Sequence, residues 1–63
     1  MSNKKDYEEY FDRLFDIEVD MEQEALKLQK LVSNKKAKEI LSVIIEDEIR
    51  HKGIVVDLRN LVI

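Results

Sequence analysis

Apolar residues recur at alternating steps of four and three from Tyr7 to Val32 and again from Ala37 to Val62, with one break at Ser33-Asn34. That period places one residue of each step on a single helical stripe, so the pattern predicts two amphipathic helices with a turn between them. Proline is absent and Gly53 is the only glycine, so nothing else along the chain punctuates the pattern. The expected boundaries are helix 1 over about 7–32 and helix 2 over about 35–60, each roughly 38 Å long at 1.5 Å per residue. Asp6 with Glu9 fits a capping box ahead of the first helix, and Ser33 or Asn34 can cap the second. The β-branched run Ile54-Val55-Val56 favours a strand in isolation, but the seam continues through it and a lone strand has no partner. Residues 1–63 are therefore expected to form a single helical-hairpin domain of the all-α class.

In an antiparallel hairpin that reverses between Asn34 and Lys35, residues equidistant from the turn lie level. Val32 then meets Ala37, Leu28 meets Leu41, Ala25 meets Ile44, Met21 meets Glu48 and Glu18 meets His51. Further out, Leu14 meets Val55, Phe11 meets Leu58 and Tyr7 meets Val62. A second apolar set (Ile40, Val43, Ile45, Ile49, Ile54, Val56, Leu61 and Ile63 on helix 2, with Tyr10, Phe15, Ile17, Leu26 and Leu31 on helix 1) exceeds what two helices can cover. A chain of 63 residues without cysteine also has no disulfide to compensate for a small core. The expectation is an antiparallel two-helix hairpin that dimerises into a four-helix bundle, with Ile49, Val56 and Ile63 pointing to a larger homo-oligomer.

Three seam positions are polar: Glu18, Glu48 and His51. Burying an unpaired carboxylate is unfavourable, so such groups pair, take up a proton or bind a cation. Two copies bring four Glu and two His into one mid-bundle slab, where two divalent ions balance the carboxylates and leave both imidazoles neutral. Glu-x-x-His on one helix with a level Glu on its neighbour is the ligand pattern of di-iron and di-manganese bundles. Oxygen-rich sites with one imidazole per metal suit iron or manganese. Glu18 and His51 are the expected terminal ligands and Glu48 the bridge and catalytic centre, with open positions for O₂ or peroxide.

Asp47-Glu48-Ile49-Arg50-His51 resembles the Asp/Glu-Glu-x-Arg-His sequence of the ferritin-like di-iron carboxylate superfamily, which includes rubrerythrins, bacterioferritins, ribonucleotide reductase small subunits and bacterial multicomponent monooxygenases. The resemblance spans about Phe11 to Leu58 and half of the four-helix fold, so it is closest in kind to half-bundle members such as the encapsulated ferritins. It implies a ferritin-like bundle with two iron ions per dimer, manganese being the other candidate. It also implies that Glu18 is the first-helix ligand, that Asp47 supports the ligating His51, and that Glu22, one turn after Glu18, is the remaining candidate for an accessory carboxylate. The activity it implies is ferroxidase or iron handling, with rubrerythrin-like peroxide reduction as the alternative. Rubrerythrins carry a four-cysteine rubredoxin domain that is missing here, so the resemblance leaves a separate electron-transfer partner or an encapsulating shell as partners.

A net charge of −3 without a clustered basic face argues against a nucleic-acid partner. No apolar run approaches the length of a membrane span, and Met1 to Tyr10 is too charged for a signal peptide, so the expected location is the cytoplasm. The reading that competes with a metal centre is a metal-free dimerisation or adaptor module, in which Glu18, Glu48 and His51 form a buried polar network that fixes register. Glu24, Glu39, Glu46 and Asp57 read as solvated, as does Glu22 if it has no role at the site. Arg50 is expected to pair with Glu46 or Asp47.

Overall fold

The computed structural model describes residues 4–63. Two α-helices, α1 (Lys4–Leu31) and α2 (Lys35–Val62), pack side by side as an antiparallel hairpin measuring 49 × 16 × 13 Å. Neither helix is long and apolar enough to cross a membrane.

The turn lies where the pattern breaks. Asn34 is extended (φ −69°, ψ 123°) and caps α2, its Oδ1 accepting from the Ala37 N–H at 2.9 Å. That bond satisfies one of the amide donors that the first helical turn leaves without an intrahelical partner. At the other end, α1 starts at Lys4 and runs through Asp6. Asp6 is thus inside the first turn, where a carboxylate favours the positive end of the helix dipole, and not the cap of a helix beginning at Tyr7. Lys4 and Lys5 are good helix formers, so nothing stops the helix at Asp6. α2 likewise extends two residues past the expected end, to Val62.

The packing divides each expected stripe in two. On α1 the residues most covered by α2 are Phe11, Glu18 and Ala25, seven apart, continued by Val32 just past the helix end; on α2 they are Leu41, Glu48 and Val55. The intervening seam residues Tyr7, Leu14, Met21 and Leu28, with Ile44 and Leu58, stay exposed in the hairpin. The cause is geometric. A stripe stepping four and three is about 50° wide on each helix, and one neighbour covers only part of it.

The two flanks of the helix contact differ in chemistry. One is laced by polar pairs: Glu8 with Arg59 at 4.0 Å, Glu22 with Lys52, and Gln29 Nε2 donating to Ser42 Oγ (2.7 Å) and the Lys38 carbonyl (3.0 Å). Residues one position earlier lie about 100° round each helix, on the opposite flank. There stand Tyr7, Met21 and Leu28 of α1, with Ala37, His51 and Leu58 of α2. At the turn end this apolar flank opens into a depression lined by Ala25, Leu28, Leu31 and Leu41, beside Glu24 and Lys27.

Candidate metal centre

Glu18 and Glu48 occupy the middle of their respective helices, and His51 follows Glu48 by one turn. Helical periodicity puts Glu48 and His51 on neighbouring positions of one face, and the hairpin register brings Glu18 level with them. His51 Nδ1 is 3.4 Å from Glu18 Oε2 and 3.9 Å from Glu48 Oε1. One ligand atom from each of the three residues lies within 4.8 Å of the others. The three residues singled out by the seam are therefore adjacent in space.

Their surroundings are unusual for carboxylates. Glu48 is 5% exposed, the most buried residue among those described, and Glu18 is half-buried. Neither Glu18 Oε2 nor Glu48 Oε2 has a hydrogen-bond partner; the Glu18–His51 approach is an ion-pair distance without hydrogen-bond geometry. Glu48 is held above its ordinary carboxyl pKa first by a proton it can share with the Glu18 side chain, then by desolvation and by repulsion from the Glu18 charge. Asp47 adds to this repulsion and His51 opposes it. A hairpin alone therefore leaves two acceptor oxygens facing a site without a donor. Such groups are rare because each forfeits its hydration without replacement.

The other ring nitrogen of His51 faces Arg50, whose Nη2 is 3.4 Å from Nε2. That contact leaves Nδ1 as the ring nitrogen that faces the two carboxylates. Arg50 is in turn 3.7 Å from Asp47. Asp47 thus reaches His51 through Arg50, a three-residue chain on the exposed surface of α2, and the expected Arg50–acid pair is with Asp47.

Glu22 is not a solvated side chain. It is 15% exposed and ion-paired with Lys52, itself 25% exposed, on the polar flank one turn from Glu18 and Glu48. Lys52 was not among the residues that the seam selects. The signal for it lies at the next heptad position, where Glu8 and Glu22, two heptads apart on α1, face Arg59 and Lys52, one heptad apart on α2, with opposite charges. Glu24 pairs locally with Lys27 at the surface (3.3 Å), and Glu39, Glu46 and Asp57 are exposed, as expected of solvated acids. Tyr7 and Tyr10 are exposed; Tyr10 packs under the Arg13 guanidinium, 5.4 Å from the ring centre.

The donor set fits a hard or borderline divalent cation. Two carboxylates and one imidazole converge, and one oxygen of each carboxylate lacks a hydrogen-bond partner. Comparison with protein-family models, with curated proteins and with solved structures gives no match to this chain.

Proposed function

We propose that the chain is a half-bundle di-metal carboxylate protein of the ferritin-like kind, with its centre shared between two copies, and that it works as a ferroxidase or iron-handling oxidoreductase on Fe(II). The observation that carries this reading is the pair of buried carboxylate oxygens, Glu18 Oε2 and Glu48 Oε2, left without hydrogen-bond partners beside His51 Nδ1. Glu18, Glu48 and His51 would hold the cations, with Glu48 in the role of the carboxylate shared between the two copies. Bound iron, or manganese, supplies one-electron redox chemistry to which O₂ or peroxide gives access. The protein's part would be to hold the Glu18 and Glu48 carboxylates and the His51 imidazole together, the proton shared by the carboxylates being released when a cation enters.

Dimerisation through the apolar flank draws support from the exposed area. A compact protein of 7.5 kDa exposes about 4,200 Å². The hairpin exposes 5058 Å², and the excess of roughly 800 Å² is what one partner contributes to an interface of standard size. The mid-helix position of Glu18 and Glu48 lets a two-fold axis pass at their height while the two hairpins overlap along their full length. Met21, Leu14 and Leu58 then close over the site from both sides.

The competing reading, a metal-free dimerisation module, has one specific support: the proton that Glu48 and Glu18 can share gives the network a neutral route to burial. Metal titration separates the two. Under anaerobic conditions the protein is expected to take up one Fe(II) per chain, two per dimer, and to develop a near-ultraviolet ferric band on exposure to air. Glu48→Ala is expected to remain a helical dimer and lose that uptake. A wild-type protein that dimerises identically with and without chelator, and binds neither iron nor manganese, refutes the metal centre. Retained binding of two irons per dimer by Glu48→Ala refutes the bridging role.

A further inference from the structure

We infer that Lys52 sets the charge of the candidate centre and so determines that it takes divalent rather than trivalent cations; this rests on the metal-binding reading above. Two carboxylates, Glu18 and Glu48, converge with His51 at mid-hairpin, and Glu22 follows Glu18 by one helical turn. Without a counter-charge the slab carries three negative charges per chain, and an accessory carboxylate at Glu22 stands next to the donor set. Lys52 removes one of the three. It follows His51 directly and lies one turn after Glu48, and its ammonium grips Glu22 from across the helix contact. The pair is three-quarters buried or more on both sides, so it is part of the packed flank and not a mobile surface tie. What remains is Glu18 and Glu48, two carboxylates that each have a buried oxygen without a hydrogen-bond partner.

Two negative charges neutralise one divalent ion per chain, whereas a trivalent ion leaves an uncompensated positive charge in a poorly hydrated slab. For an iron-handling site the consequence is directional: the reduced ion is matched to the site and the oxidised ion is overcharged by one, which favours its departure. Lys52 is thus a specificity-determining residue that never touches the cation, acting through the charge of Glu22.

The test is a charge series measured as a ratio of affinities. Mn(II) and Tb(III) are titrated against the full chain, Mn(II) by the loss of its free-ion electron paramagnetic resonance signal and Tb(III) by its sensitised luminescence. The proteins are wild type, Lys52→Arg, Lys52→Gln, Glu22→Gln and the double variant Glu22→Gln/Lys52→Gln. Per chain these carry two, two, three, one and two negative charges at the site. A unit charge about 6 Å away at an effective dielectric near 20 changes the trivalent-to-divalent ratio about a hundredfold, and screening of a part-exposed ammonium brings this near tenfold. The Tb(III)/Mn(II) affinity ratio is therefore expected to rise about tenfold in Lys52→Gln and fall about tenfold in Glu22→Gln. It is expected to return to the wild-type value in the double variant and to stay there in Lys52→Arg. A merely structural ion pair predicts a different pattern, in which both single variants lose affinity for both ions and the ratio does not move; that result overturns the inference while leaving the metal centre standing. Failure of the wild type to bind either ion overturns the metal centre itself. Rescue of the ratio by the double variant keeps the test decisive if a single variant is poorly folded.

Discussion

Leu28→Glu tests the assembly on which the shared centre depends. Leu28 lies on the apolar flank, ten residues from Glu18 and so about 15 Å along the helix, too far to disturb the site directly. In the hairpin it keeps 48% of its surface exposed. Full burial of a leucine is worth about 1.5–3 kcal/mol, so roughly 1 kcal/mol of that remains to be gained by association. A two-fold dimer contains the residue twice, which raises the figure to about 2 kcal/mol, or about thirtyfold in the dissociation constant. Burying the new carboxylate adds to this, so thirtyfold is the lower bound. Sedimentation equilibrium measures the dissociation constant, and thermal unfolding over a range of concentrations provides a second readout. A dimer's melting temperature rises with concentration, and Leu28→Glu is expected to lower it and flatten that dependence. Val43→Glu is the control: Val43 is somewhat more exposed (56%) but lies on the outer surface of α2, and the substitution is expected to leave the dissociation constant unchanged. Association of Leu28→Glu with wild-type affinity, or equal weakening by Val43→Glu, refutes the assignment of the flank.

The remaining predictions concern stability. Because the folded-state pKa of Glu48 is raised above its ordinary value of 4.5, the folded metal-free protein holds this proton more tightly than the unfolded chain. The resulting stabilisation is complete below pH 4.5 and is lost as pH rises through the folded value. Metal-free wild type should therefore lose melting temperature relative to Glu48→Gln over that window, and parallel profiles of the two proteins would count against the raised pKa. Saturating Mn(II) is expected to reverse the trend, because cation binding requires the ionised carboxylates. Gly53→Ala should stabilise by about 0.5–1 kcal/mol, since a Cβ there meets nothing within 4 Å and alanine is the better helix former; a loss of stability in chemical denaturation would place a second subunit against that surface. Asn34→Ala removes the bond to the Ala37 amide and should destabilise by about 1 kcal/mol, with Asn34→Ser retaining most of the wild-type value.

The hairpin itself was legible because its two signals are local. Unbroken four-three spacing specifies helices, and Ser33-Asn34 is the only place where spacing and capping chemistry both change. The adjacency of Glu18, Glu48 and His51 followed from the same spacing once the turn was placed, since register in a tight antiparallel hairpin is set by the turn. The start of α1 was less legible: Asp6 suits a cap and a first turn equally well, and the choice depends on residues before it. Lys52 escaped because it lies outside the seam. Its role comes from a cross-helix partner, Glu22, and becomes visible only when the next heptad position is read for charge as well as hydrophobicity. The division of the seam into covered and exposed halves is not a property of either helix. It depends on how many neighbours each helix has, which a stripe of spacing does not specify.

The exposed half of the seam and the frustrated carboxylates are consequences of a single arrangement. A stripe wide enough for two neighbours is packed against one, and its polar residues stand at the junction between the covered and uncovered halves. Glu48 illustrates the tension. It is deeply buried, its oxygen lacks a donor, and its ionisation is opposed by Glu18, so in the isolated hairpin this side chain opposes folding. Any ligand that binds the folded state and supplies the missing positive charge relieves that opposition, and its binding free energy becomes stability of the fold. In the proposed dimer, association and cation uptake are coupled through the same residue. There the second hairpin would cover the flank and exclude water, which would strengthen every carboxylate–cation interaction inside, and the cation would in turn make burial of the carboxylates tolerable. On that proposal, the destabilising position at the centre of α2 is the one at which folding, assembly and cation binding would reinforce one another.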